Sequence, residues 1–154
     1  MVRSRNLLCV VCTLVVSLAA CTSAQDNSLR TIAVSGAPKA IGPYAQGIVA
    51  NGFLYSAGQT PRDPVTGNPV EGDITAQTSR VFDNLEAILK GAGCTFQDVV
   101  KVTVFMTDLA DFAKMNETFA ARFGNHRPAR STVQVAKLPS NAHLEIDLIA
   151  RVPH

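Results

Sequence analysis

Apolar positions along this chain fall into three rhythms. The first is a plain run: Leu7 to Ala20 is apolar over fourteen residues and sits behind the charged Arg3 and Arg5. Such a run is too short to span a bilayer comfortably and has the charge and length of a signal peptide. The second rhythm is the step of three and four that marks a helix. From Asp73, a plausible N-cap, apolar residues recur at Ile74, Val81, Leu85, Ile88 and Ala92, and Gly91 and Gly93 stop them. A second helix starts at Asp108 or Asp111, places Phe112, Met115, Phe119 and Phe123 on one face, and ends at Gly124. Those phenylalanines are read as core.

The third rhythm belongs to strands. Arg30 to Val34 is a short first one, and Gly47 to Val49 with Phe53 to Ala57 form a hairpin, because Asn51-Gly52 is the favoured two-residue primed turn. Val99 to Phe105 is dense in β-branched residues and reads as a strand covered on both faces. The last two strands are Ser131 to Ala136 and His143 to Arg151; in the second, Leu144, Ile146, Leu148 and Ala150 point one way, and Glu145, Asp147, Ile149 and Arg151 the other. Between the hairpin and the first helix, Thr60 to Gly72 is too rich in proline and glycine for regular structure. Two helices after separate strand groups predict an α+β layer, a sheet with both helices on one face. The sheet's other face then needs a cover, which predicts self-association.

Composition narrows this picture once the N-terminal segment is set apart. The formal charge of +2 comes from Arg3 and Arg5; without them 12 Lys and Arg balance 12 Asp and Glu. A neutral domain has no basic stripe for phosphates, so no nucleic-acid partner is expected. Of four cysteines, Cys9, Cys12 and Cys21 fall in the leader, which leaves Cys94 without an intramolecular disulfide partner. Leu18-Ala19-Ala20-Cys21 resembles the bacterial lipobox, whose cysteine is lipidated, while cleavage after Ala24 is the competing reading. The expected organisation is a signal peptide over 1–20, a tether over 21–29 and one domain over 30–154. The expected location is periplasmic, anchored at the outer membrane through Cys21, or secreted if cleavage follows Ala24.

Searching by chemistry removes most classes. His126, His143 and His154 lack ligand spacing, so no metal is expected. There is no Gly-x-Ser-x-Gly elbow and no glycine-rich phosphate loop. What remains is Arg130 at the mouth of one of the last two strands and Glu145 on the other, the two strands read as neighbours: a guanidinium that can grip a carboxylate and an acid that can hold water. A salt bridge between strands is the structural alternative. Tyr44, after Gly42-Pro43, could present a hydroxyl to a pocket, and Gly58 could allow close backbone approach.

Ala40-Ile41-Gly42-Pro43-Tyr44-Ala45-Gln46, Ala57-Gly58-Gln59, Asn84-Leu85, Ala92-Gly93, Val99 to Phe105, Asp108-Leu109, Phe112, Asn116, Arg127 to Ser131 and Glu145-Ile146 resemble the RidA (YjgF) family, in order and without large gaps. The resemblance implies a chorismate-mutase-like α+β fold with a mixed sheet, and a homotrimer with clefts between subunits. It implies hydrolysis of reactive 2-imino acids, such as tautomers of 2-aminoacrylate and 2-iminobutanoate, to 2-keto acids and ammonia with no cofactor. Carried over residue by residue, Arg130 binds the substrate carboxylate, Glu145 holds or activates water, Tyr44 lines the pocket and Gly58 offers its amide. Ala57, Thr132 and Asn116 complete the implied substrate contacts; Ala57 stands where many relatives have serine, and Thr132 where some have cysteine or a small residue. The alternative is a trimeric protein of the same fold that binds small carboxylates without catalysis.

Overall fold

The computed structural model of the chain describes residues 28–153. The apolar run Leu7 to Ala20, Cys21 and the alternative cleavage site at Ala24 lie outside the described residues. Asn51 and Gly52 take φ of 51° and 76°, the left-handed pair that a primed turn requires. They join strand β2 (Gly47–Ala50) to β3 (Phe53–Ser56), and β1 (Arg30–Ile32) adds antiparallel to β2. Helix α1 (Ile74–Ala92), β4 (Val99–Met106), α2 (Phe112–Phe123), β5 (Ala129–Gln134) and β6 (Leu144–Arg151) follow.

One six-stranded mixed sheet results, in the order β1-β2-β3-β6-β4-β5. β6 runs antiparallel to both β3 and β4, so β3 and β4 are parallel with the last strand inserted between them. β4 and β5 are adjacent and parallel, as their connection through a helix demands. The expectation that β5 and β6 are neighbours is therefore corrected: β4 separates them. Chain order places β5 and β6 together, but the helical crossover leaves β4 with one free edge for β5 and another for β6.

Asp73 caps α1, accepting from Ala76 N–H at 3.0 Å, and Gly93 ends it at φ 81° with its N–H donating to Leu89 and Lys90 carbonyls. Of the two aspartates offered for the next helix, Asp108 does the capping: it accepts from Ala110 N–H at 2.8 Å and starts a short 3₁₀ turn, Leu109–Asp111, that leads into α2. Asp111 makes no side-chain cap bond. The helices pack on one sheet face over Leu54, Val102, Val104, Ile146 and Leu148, with Phe82 meeting Phe96, Phe119 and Phe123 edge-on at 5.6–5.9 Å. Arg122 of α2 ties to Asp83 and to Ser79 Oγ of α1. Phe112 does not join this core: it is 38% exposed. β4 is likewise covered on one face only, with Lys101, Thr103 and Phe105 half-exposed on the other.

Gly91 does not stop α1 but lies inside its last turn. Its lack of a side chain serves a close approach, because a Cβ there would stand 2.5 Å from Val34 Cγ1 and 3.2 Å from Ile32 Cγ2. Alanine normally gains about 1 kcal/mol over glycine inside a helix. Here overpacking against the segment after β1, typically about 1–3 kcal/mol, opposes that gain. Gly91→Ala is thus expected to lower the thermal midpoint; an unchanged or higher midpoint in a melting experiment would show that β1 yields freely.

Candidate active site

Arg130 sits on the edge strand β5, paired in register with Val102 of β4, so both side chains face the helices. Its guanidinium carbon stands 4.5 Å from the centroid of Phe119 and 5.6 Å from that of Phe112. These rings supply a flat cation–π bed and explain why Phe112 is retained partly exposed. The guanidinium has no hydrogen bond or ion pair among the described residues, and desolvation lowers its pKa from the ordinary arginine value without removing the charge. Asn116, one α2 turn before Phe119, lines the same cavity of about 460 Å³. His126 is occupied structurally, its Nε2 2.6 Å from the Val99 carbonyl. Thr132 follows Arg130 on the same strand face, and its Oγ1 is buried with no hydrogen-bond partner among the described residues. It does not line the Arg130 cavity.

Glu145 occupies the other half. It pairs with Phe105 of β4 and projects from the sheet face opposite the helices. Ala57 N–H donates to Gln46 O and Gln59 N–H to Ile146 O, each at 2.9 Å, which holds Gly58 between two fixed neighbours. A Cβ at Gly58 would overlap Glu145 Oε1 and stand 2.7 Å from Cδ, so only glycine lets the carboxylate lie on this backbone. The Gly58 N–H has no acceptor among the described residues. Tyr44, Ala57, Gly58 and Glu145 line one cavity of about 380 Å³ with Thr60 and Arg62. Tyr44 Oη accepts from Ile41 N–H at 3.3 Å. Glu145 has no hydrogen-bond partner among the described residues; its pKa is raised first by burial and then by the like charge of Asp147, two residues along the same face.

The predicted site residues thus divide into two groups. Arg130, Asn116 and Thr132 belong to the helix side, whereas Tyr44, Ala57, Gly58 and Glu145 belong to the open side. Arg130 and Glu145 are two strands apart and offset by three positions along β4, about 10 Å in each direction, on opposite faces. A direct pairing of the two within one chain is therefore corrected. Residue parity along β6 signalled the face of Glu145, but the face of Arg130 depends on its register with β4, which no local pattern encodes. Phe119 as the bed for Arg130, and Arg62 in the Glu145 cavity, were not singled out from sequence. Cys94 is buried and free, its thiol pKa pushed up mainly by burial, as suits an inert core thiol.

Fold and residues together define an α+β protein with separate cationic and acidic half-sites, each sized for a small molecule. The chain belongs to the RidA (YjgF) family, residues 34–152 matching the family model described as Endoribonuclease L-PSP. It is 52% identical over 121 residues to a RutC family protein of Pyrococcus horikoshii, covering 79% of this chain and 96% of that one. It is 46% identical over 124 residues to the 2-iminobutanoate/2-iminopropanoate deaminase of Escherichia coli, covering 79% and 96%. Among solved structures, E. coli TdcF with bound serine superposes with a TM-score of 0.75 at 41% identity, over 79% of this chain and 98% of that one.

Proposed function

We propose that the protein hydrolyses reactive 2-imino acids to 2-keto acids and ammonia at sites shared between copies of the chain in a homotrimer. One observation carries this reading: Arg130 and Glu145 are both charged, both partly desolvated and both without a hydrogen bond or ion pair among the described residues, yet one chain holds them on opposite sheet faces. Unpaired groups of this kind cost stability and are kept where a ligand completes them. A second copy packed on the open face would bring its edge strand, and hence an Arg130, toward the first copy's Glu145. The deaminase of E. coli and the serine-bound TdcF are relatives of matching chemistry, since a 2-imino acid and an amino acid share the carboxylate and the nitrogen at C2.

In the proposed reaction Arg130 takes the carboxylate in two parallel hydrogen bonds and so fixes C2. Glu145, ionised, accepts a proton from water as the water oxygen bonds to C2 of the protonated imine. The carbinolamine then collapses: Glu145 gives its proton to nitrogen, the C2–N bond breaks as the hydroxyl oxygen becomes the carbonyl, and the hydroxyl proton leaves with the ammonia as ammonium, so a 2-keto acid remains and Glu145 is again ionised. The free Gly58 N–H and Tyr44 hydroxyl are suited to orient the oxygen added at C2. One placed acid–base group contributes typically about 10²–10⁴-fold, ample for an imine that already hydrolyses in water.

The test uses an amino-acid oxidase to generate 2-iminobutanoate and semicarbazide to trap it. Purified protein is expected to divert the imine to 2-oxobutanoate and suppress semicarbazone formation. Unaltered trapping, with binding of 2-oxobutanoate intact, would instead identify a carboxylate-binding protein without catalysis.

A further inference from the structure

Arg62 is an arginine of the Glu145 half-site, which Arg130 of the same chain does not reach. It lines the same cavity as Tyr44, Gly58 and Glu145. Its place is built from several directions. Asn84, wholly buried on α1, donates from Nδ2 to the Arg62 carbonyl at 2.9 Å, and Arg62 N–H donates to Thr60 O at 2.8 Å. The side chain is pinned at Nε, which donates to Gly67 O at 2.7 Å. Gly67 lies at φ 73° in a turn that Asp63 Oδ1 closes by accepting from Val65 and Thr66 N–H at 2.9 and 2.8 Å. Only Nε is used within the loop. The two terminal nitrogens have no acceptor among the described residues.

Arg62 also stands apart from Glu145. No ion pair joins them within 4 Å, and the groups that perturb the Glu145 carboxyl are the surrounding protein and Asp147. Its charge is therefore not consumed by the catalytic acid. A guanidinium fixed at Nε and open at its outer edge is preorganised for an anion, because little side-chain freedom is lost on binding.

We propose that Arg62 selects 2-imino acids with a second, distal carboxylate, such as the imines of acidic amino acids. This rests on the deaminase reading, in which Arg130 of a neighbouring copy takes the carboxylate next to the imine carbon. Arg62 is then the cation for the opposite end of the substrate, with Glu145 serving the carbon near the other end. A cavity of about 380 Å³ in one chain accommodates a five-carbon diacid before any neighbour adds to its walls. A short apolar side chain would leave the Arg62 fork unanswered, whereas a distal carboxylate gives it a charge-assisted partner.

Two measurements separate this inference from the reading beneath it. Calorimetric titration compares 2-oxoglutarate with 2-oxobutanoate, probes with and without the distal carboxylate. Semicarbazide trapping compares the imines made from glutamate and from 2-aminobutyrate. Wild-type protein is expected to bind 2-oxoglutarate at least about tenfold more tightly, and Arg62→Gln to remove most of that ratio, in line with a hydrogen bond to a charged group. Arg62→Lys, which retains the charge without the fork, is expected to fall between. The ratio is insensitive to a fraction of misfolded variant. Equal affinities in the wild type, or a ratio unmoved in Arg62→Gln, overturn the role of Arg62 even if imine hydrolysis is fast. A preference for 2-oxoglutarate that Arg62→Gln abolishes, without turnover of either imine, retains Arg62 as a carboxylate selector and overturns the deaminase reading.

Discussion

Arg130→Ala and Glu145→Gln, each lowered about 10²-fold or more alone, are expected to recover about a quarter of wild-type turnover when refolded together in equal amounts. The fraction follows from a closed ring in which every site takes Arg130 from one copy and Glu145 from the next. Each position then has an even chance of being intact. Separately, Arg130→Ala is expected to lose about 10²-fold or more in kcat/KM, because a desolvated carboxylate left without its guanidinium is strongly disfavoured. Its fold should survive, since among the described residues the Arg130 guanidinium rests on two rings without a hydrogen bond or ion pair, and Phe119 is otherwise held by Phe82 and Phe123. The decisive readout is steady-state imine turnover in the mixed sample against each variant alone. No recovery, with mixed oligomers demonstrated by mass, would return the chemistry to a single chain and sink the composite site.

Some of this arrangement could be read directly along the chain. Local signals are strong where one residue type has one structural use: Asn51-Gly52 for the primed turn, Asp73 for the cap, and the alternation from Leu144 to Ala150 for a strand with one buried face. The regions where expectation and structure part are those decided by packing between distant segments. Gly91 reads as a helix stop, yet it is kept small by Val34, 57 positions earlier. β5 and β6 are consecutive, yet β4 lies between them because β4 must pair with β5 in parallel and β6 in antiparallel.

The site follows the same division. Glu145 and Gly58 belong together because a backbone without Cβ and a carboxylate occupy one small volume, a relation visible only once Gln59 is bridged to Ile146. Arg62 is inconspicuous in sequence because the proline- and glycine-rich loop around it has no periodicity. What places it is the buried Asn84, whose amide crosses from α1 to the loop backbone. Family resemblance singles out Arg130 and Glu145, but it does not convey that they face away from each other in one subunit.

Glu145→Gln is expected to cost about 10²–10⁴-fold in kcat/KM while leaving the protein at least as stable at neutral pH. The sign comes from the raised pKa. Burial and Asp147 favour the protonated carboxyl in the folded state, so the ionised form that predominates in the unfolded chain at neutral pH is the costly one in the fold. That cost is present at pH 7 and disappears as pH falls through the folded pKa toward the unfolded value of about 4.3. Glutamine is neutral throughout, so any stabilisation of Glu145→Gln should be seen at neutral pH and vanish in acid. The activity of the wild type should move oppositely, with kcat/KM falling on the acid side at a pH above the ordinary glutamate range as the water-activating base is protonated. Melting curves and pH profiles on the same two proteins check both halves. A variant that is less stable at pH 7 would make Glu145 a structural acid, and an activity limb no higher than an exposed glutamate's would remove the desolvated base from the reaction.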